Sequence, residues 1–506
     1  MKIFSTRQIF EIEEKTKKFL QVDQEFLMEK ASEAIVSYIL KVIKNKKLFS
    51  KKILIVSGKG NNGGDGFLCA SKLFSLGFEV DILALHSLEE SSFFNRKYRN
   101  SFSFLNGKLW KYSDITQISF SSYGMIIDAI LGIGFKLDKK VYLYQKIIGK
   151  INTTSSLVLS IDTPSGLDLD EGLFYEDVVV KADITLGLGF PKLGYFLDKS
   201  KDLIGELHLL SLPFPKEVIS CFNTNYYLLS DENVVQYLPK YSLSAHKYEK
   251  GMVMGFGGKQ GMKGALSLSC LASLYTGSGV VVGVSPKGSG FSFDSLPYEV
   301  IKVESSFNVD DDIILRNFLK KSKSLFLGPG LGSISCFSKF MERIVNSSKL
   351  PVVLDADALN MYAEQSFSLP DKCIFTPHIG EMKRILKIKE VSLIELINLT
   401  WAFAKNKNII IVLKGPTTFI LSKDRIFVSS QGDASLATAG SGDILTGIIA
   451  SLLSQGLDLE EAACLGVHVH SLLGKSIFNE LKSRFFKAGD FLPYIGIILQ
   501  KLRGMK

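Results

Sequence analysis

Two sets of residues in this chain have the types and spacing to do chemistry. The first lies in GKGNNGGDG (58–66), DAILGIGFKLD (128–138) and DTPSGLD (162–168), each following an apolar run that reads as a strand. In open parallel sheets ligands bind outside the carboxyl ends of the strands, so Asn61, Asn62, Asp65, Asp128, Lys136, Asp162 and Ser165 are expected around one crevice. Gly58, Gly60 and Gly63 spell G-x-G-x-x-G, the dinucleotide fingerprint. The second strand, however, ends at Leu85-His86 without the acidic residue that would bind a ribose. Oxygens from Asn62, Asp128 and Ser165 suit a hard monovalent or divalent cation and disfavour zinc. Asp162 and Lys136 would make an acid/base pair if the crevice joins them.

The second set begins with ATAGSGD (437–443), directly before an apolar helix. Gly440, Ser441 and Gly442 would aim backbone N–H groups at one point at a helix N-terminus, an anion site with a dipole behind it. Asp443 beside such a site would feel repulsion from a phosphate unless its work is to take a proton from an attacking hydroxyl. KGPTT ends another strand with Lys414, Gly415, Pro416, Thr417 and Thr418, types that suit nucleotide phosphate. TPHIGE (376–381) brings His378 to a further strand end. DADALN (355–360) carries paired carboxylates, for indirect magnesium binding or for structural turns.

The elements that must position these residues form two series. Short β-branched runs alternate with helical patterns, the signature of parallel α/β sheets. Strands are expected at 52–57, 78–85, 124–128, 157–162 and 183–188, with two amphipathic helices over 6–48 before them. The pattern lapses around 205–240. A second series follows at 251–256, 280–284, 324–329, 351–357, 373–378, 409–415 and 425–430. Motif order differs between the halves, so the chain reads as a fusion with domains at 1–220 and 221–506.

Bulk properties narrow the function classes. At 506 residues two to four domains are expected. No apolar run reaches the roughly 20 residues of a spanning helix, and acids interrupt the N-terminus where a signal peptide would be apolar. A cytoplasmic protein is expected, without membrane partners. The six cysteines show no C-x-x-C, which fits reduced thiols. His468 and His470 form a weak H-x-H ligand pattern. The net charge is +9, but its lysines are dispersed. The densest runs, 41–52 and 320–324, read as solvated helix ends rather than a nucleic-acid surface, while the sign suits anionic small substrates.

NNGGDG after a strand, then DAILGIGFK, then DTPSG resembles the NAD(P)H-hydrate epimerase family over roughly residues 1–215. The resemblance implies a Rossmann-like α/β/α sandwich. It implies a hydrate site at Asn61, Asn62, Gly63, Gly64, Asp65, Gly132, Ile133, Gly134, Phe135, Lys136, Leu137, Asp138 and Asp162. Potassium would sit on Asn62, Asp128 and Ser165, with Asp162 as base and Lys136 as acid. Residues 222–503 resemble the ribokinase-like NAD(P)H-hydrate dehydratases. There Asp443 would activate the hydrate hydroxyl, and Ala265, Gly328 and His378 would contact the hydrate. Lys414–Thr418 and Gly440–Gly442 would hold ADP, with its magnesium, or ATP; the fused arrangement resembles members that use ADP. One departure is Ala439, where the family carries glycine and where a methyl would crowd the site if φ were positive. The implied enzyme is bifunctional and a homo-oligomer. A rival reading makes the second half a vitamin-precursor or sugar kinase, and the first a non-catalytic binding module.

Overall fold

The structure is a computed structural model; it describes residues 1–48, 52–105, 107–197, 199–240, 242, 244–289, 297–307, 313–483 and 485–505. The chain divides into two compact units, Met1–Tyr226 and Tyr227–Lys506, against the expected junction at 220/221.

The first unit is built on seven strands: β1 (Ile53–Ser57), β2 (Val80–Ala84), β3 (Lys108–Lys111), β4 (Met125–Ala129), β5 (Leu157–Ile161), β6 (Ile184–Leu188) and β7 (Glu206–Leu210). They form an all-parallel sheet in the order β3-β2-β1-β4-β5-β6-β7. Strands buried on both faces read as continuous apolar runs, and β1, ILIVS, is one. Its side chains still alternate. Ile53 and Ile55 join one core layer with Phe67 and Leu73, while Leu54 and Val56 join the other with Ile126 and Ile147. The strand order reverses between β1 and β4, the switch point where such sheets open a crevice.

Two helices precede the sheet, Thr6–Leu20 with a Ser5/Gln8 capping box and Gln24–Lys46 capped by Asp23. The basic run 41–52 ends the second of these; its residues 49–51 lie outside the described residues. Residues 61–65 are helical despite their glycines: the helix Asn61–Ser75 starts at the first asparagine, with Gly60 as its N-cap. Glycine disfavours a helix interior, but tight packing requires it here. A Cβ on Gly63 would lie 2.1 Å from the Gly58 carbonyl oxygen, and one on Gly58 would lie 2.0 Å from that of Ile130.

The second unit contains β9 (Met252–Phe256), β10 (Val280–Pro286), β11 (Ile301–Ser305), β12 (Ser324–Leu327), β13 (Val352–Leu354), β14 (Cys373–Phe375), β15 (Ile410–Leu413), β16 (Thr418–Leu421) and β17 (Ile426–Ser429). With β8 (Tyr226–Leu228), they form a sheet ordered β11-β10-β9-β12-β13-β14-β15-β16-β17-β8. β9 to β15 pair in parallel, and β16 pairs antiparallel with both β15 and β17. The helices Lys263–Tyr275, Ser441–Ser454 and Leu459–Leu481 bury their apolar faces in this unit's core. The α/β class holds in both units. The expected lapse at 205–240 is too broad, because β7 and β8 lie within it. Half-buried ELHLL is an edge strand without the apolar run of a central one. Among the described residues no helix is long and apolar enough to cross a membrane.

Candidate active sites

In the first unit a cavity of about 550 Å³ opens at the carboxyl ends of the strands. Its lining includes Asn61, Asn62, Asp65, the run Gly132–Lys136, Asp138 and Asp162. Gly63, Gly64 and Leu137 are not on its wall; the two glycines pack the helix against Asn95 and Met28. The helix Asn61–Ser75 points an N-terminus without a side-chain cap at this end of the sheet, an anion site by its free N–H groups and dipole.

Asp162 is the most constrained group here. It follows β5, is 4% exposed, and holds a left-handed backbone at φ 64°. Such strain persists only where surroundings enforce it. Tyr195 donates its buried hydroxyl to the Asp162 carbonyl at 2.6 Å. Oδ2 accepts from the Ile133 N–H at 3.0 Å, tying the 132–138 segment to the carboxylate. Oδ1 accepts from Lys192 Nζ at 2.7 Å, and Lys192 is fully buried. The expected partner, Lys136, is elsewhere: its ammonium group is paired with Asp170 and lies 3.7 Å from Asp168. The crevice wall carries Lys136, but the cation that faces Asp162 is Lys192. Sequence reasoning missed it because the lone lysine of FPKLG shows no pattern that distinguishes it from a surface residue.

Asn62, Asp128 and Ser165 do come together. Ser165 donates its hydroxyl to Asp128 Oδ1 at 2.6 Å and its N–H to Oδ2 at 2.8 Å. Ser160 and the Ile130 N–H complete a fully buried carboxylate. Burial raises the Asp128 pKa, and the hydrogen bonds from Ser165 and Ser160 oppose that rise. Leu131 links the three, its N–H reaching Ser165 Oγ at 2.8 Å and its carbonyl accepting from Asn62 Nδ2 at 3.0 Å.

In the second unit the helix Ser441–Ser454 starts from Gly440 at φ 93°. A Cβ there would lie 2.5 Å from Leu268 Cδ1 and 3.0 Å from Ala488 Cβ, so glycine is required twice over. Ala439 has no left-handed backbone, which removes the objection to its methyl. Asp443, in the first turn, is pushed up to about 7 by burial and then by the charge of Asp355, against Lys414. A base poised near neutrality suits proton abstraction at physiological pH.

Lys414 directly follows β15, beside this turn; a Cβ on Gly442 would lie 3.3 Å from its Nζ. The ammonium donates to Asp355 Oδ1 at 2.8 Å, and Thr446 donates to Oδ2 at 2.7 Å. Burial lowers the Lys414 pKa, but Asp355, Glu381 and Asp443 outweigh it and hold it high. His378 bridges to Lys414 through the backbone. Its Nδ1 accepts from the Gly380 and Glu381 N–H groups, so Nε2 carries the proton. Gly328, at φ 123°, passes so close to the Asp355 carbonyl that a Cβ would lie 1.8 Å from it. One on Gly330 would lie 3.2 Å from Ala265 Cβ. Ala265, Gly328, His378, Lys414 and Gly440–Asp443 therefore converge on one rim. In DADALN, Asp357 accepts from the Gly332 N–H at 2.7 Å, so both carboxylates hold structure.

The two histidines of H-x-H serve different partners. His468 meets Asp231 at 2.6 Å. His470 donates from Nε2 to the Ser441 carbonyl at 2.9 Å, and burial lowers its pKa to about 4, so it is neutral. It braces the glycine turn from the helix Leu459–Leu481, a role its sequence did not advertise.

A family model described as YjeF-related protein N-terminus matches residues 24–194, and one described as NAD(P)H-hydrate dehydratase matches 253–489. The bifunctional NAD(P)H-hydrate repair enzyme of Moorella thermoacetica is 30% identical over 94% of this chain and 92% of its own. The chain belongs to this family. The corresponding protein of Coxiella burnetii is 31% identical over 89% of this chain and 90% of its own. Among solved structures, an ADP/ATP-dependent NAD(P)H-hydrate dehydratase of Bacillus subtilis, co-crystallised with ATP and magnesium, is 23% identical. It covers 55% of this chain and all of its own, at a TM-score of 0.46. A ribokinase-like superfamily protein of Enterococcus faecalis covers 56% of this chain and 98% of its own, at 23% identity and a TM-score of 0.49. Within the repair-enzyme family, the two sites of this chain fall one in each matched segment: Asp162 in 24–194, Asp443 in 253–489.

Proposed function

We propose that the first unit interconverts the R and S hydrates of NADH and NADPH. The second returns the S hydrate to the intact coenzyme at the expense of a nucleotide, ADP giving AMP and phosphate. The observation that carries this reading is Asp443, a carboxylate with a pKa of about 7, in the first turn of a glycine-started helix beside Lys414. Asp443 takes the proton of the ring hydroxyl. The oxygen attacks the terminal phosphorus, with the N–H groups of Gly440–Gly442 receiving the charge of the transferring group. The bond from that phosphorus to the leaving nucleotide breaks. The ring carbon then releases phosphate with the C–O electron pair, and loss of a ring proton restores the double bond. Phosphate leaves where hydroxide would not. Magnesium would enter on the nucleotide phosphates, whose charge it neutralises.

In the first unit Asp162 is the proposed base. The oxygen-only set of Asn62, Asp128 and Ser165, with a single carboxylate charge, fits potassium rather than a softer or more highly charged ion. Bound there, potassium would supply a fixed positive charge beside the 130–133 segment. The cytoplasm is the proposed place of action, and a homo-oligomer the proposed assembly.

Chemically prepared NADH hydrate incubated with the protein and ADP or ATP tests the whole. Recovery of reduced-nicotinamide absorbance is expected. Its absence with both nucleotides would favour a small-molecule kinase. Asp162→Asn should abolish epimerisation; an unchanged rate would leave the first unit a binding module.

A further inference from the structure

Glu13 lies on the first helix, far in sequence from every motif, yet it lines the same cavity as Asp65, Asp162 and Lys192. Glu13 thus shares one space with the carboxylates of Asp65, Asp138 and Asp162 and with the buried ammonium of Lys192, while Lys59, Lys136 and Lys140 also line it. Lys192 is already committed to Asp162 at 2.7 Å. Asp65 is 8% exposed, and its Oδ1 is buried without a hydrogen-bond partner. A buried carboxylate oxygen without a donor, on a residue that lines a cavity, calls for an explanation, and a ligand bound there would supply one.

We propose that Glu13 is the acid that works opposite Asp162 in epimerisation, delivering a proton to the hydroxyl of the hydrated ring. This rests on the epimerase reading of the first unit. The surroundings of the two carboxylates differ. Asp162 accepts from an ammonium and from the Ile133 and Leu188 N–H groups. Among the described residues Glu13 has no such donors. Burial first, then the charge of Asp162, raise it to about 7, against Lys192 and Lys17, with a small upward push from Glu14. Asp65 is held well above the ordinary carboxylate range by burial, then by the charges of Asp162 and Glu13.

The proton count closes. Glu13 gives its proton to the hydroxyl on the carbon next to the ring nitrogen. The C–O bond breaks with its pair on oxygen, the nitrogen lone pair forms a C=N bond, and water leaves. Water adds to the opposite face, the C=N pair returns to nitrogen, and Asp162 takes the proton released. Passage of that proton from Asp162 to Glu13 resets the site.

The test is Glu13→Gln in the full chain. Epimer exchange is followed chromatographically between pH 5 and 9, and nucleotide-dependent dehydration of S hydrate serves as an internal control. The expected result is a loss of about 10²- to 10⁴-fold in epimerisation and disappearance of the wild-type fall in rate above about pH 7, with dehydration unchanged. Glu13→Ala should regain activity with added formate, and Glu13→Asp should retain part of it. An E13Q variant that exchanges epimers at the wild-type rate, or keeps the wild-type pH profile, would overturn the proposal. So would an E13A variant that formate does not rescue. A wild-type chain that exchanges no epimers would instead overturn the epimerase reading, and this proposal with it.

Discussion

Lys192 Nζ and Asp162 Oδ1 meet at 2.7 Å at the wall of the first unit's cavity, with both side chains almost fully enclosed. Removing one partner of such a pair strands the other charge in a medium that cannot solvate it. Lys192→Met should destabilise the first unit by about 3–5 kcal/mol and abolish epimerisation, while dehydration persists. A denaturant melt in which the first unit's transition does not move would contradict the pairing. Lys136→Met, by contrast, removes an exposed partner of Asp170 and should shift the melt by less than about 1 kcal/mol.

Asp443 should give the dehydration rate an acid limb. The base works ionised, so kcat/KM should fall about tenfold per pH unit below the carboxyl's pKa of about 7. The same shift affects folding. Between 3.8 and about 7 the folded chain binds this proton more tightly than the unfolded one, so its stability declines as pH rises through that window and levels off above it. Asp443→Asn should erase that decline, raise the melting temperature at pH 8, and cost about 10²- to 10⁴-fold in dehydration. A variant that is slower but no more stable at pH 8 would speak against a strained carboxylate.

Gly440→Ala should be severe and Ala439→Gly mild. The first forces a methyl into Leu268 and Ala488 at positive φ and should cost about 1–3 kcal/mol along with nucleotide binding. The second touches a backbone that has no left-handed requirement. Calorimetric titration with ADP on both variants separates them. Equal losses would mean that the turn is organised differently.

Replacing potassium by choline in the buffer should slow epimerisation and leave dehydration unaffected, and Ser165→Ala should make the choice of cation immaterial. If potassium withdrawal slowed only dehydration, the oxygen cluster around Leu131 would have been assigned to the wrong ion.

The rims of both sheets were legible because glycine, proline and strand-end carboxylates leave local marks. NNGGDG, DTPSG and GSGD each announce a change of backbone direction within a few residues. Lys192 and Glu13 were not legible. A lysine between proline and leucine and a glutamate in EIEEK look like surface residues, and only the tertiary fold encloses them. The helical state of Asn61–Asp65 was hidden for the opposite reason. Two glycines argue against helix by propensity, and the close approach of β1, β4 and Asn95 overrides that preference. Antiparallel β16 was missed because a four-residue hairpin strand beside KGPTT carries too short a pattern to separate from its turn.

The left-handed backbone of Asp162 limits how this position can drift. Among the residue types other than glycine, aspartate and asparagine tolerate that conformation best. Only asparagine also preserves the outline that Tyr195, Ile133 and Lys192 grip. A descendant that gave up the first reaction while keeping this backbone would therefore carry asparagine at 162, together with a change at 192 that removes the stranded ammonium. That pair of substitutions would mark a silenced half in a pseudoenzyme.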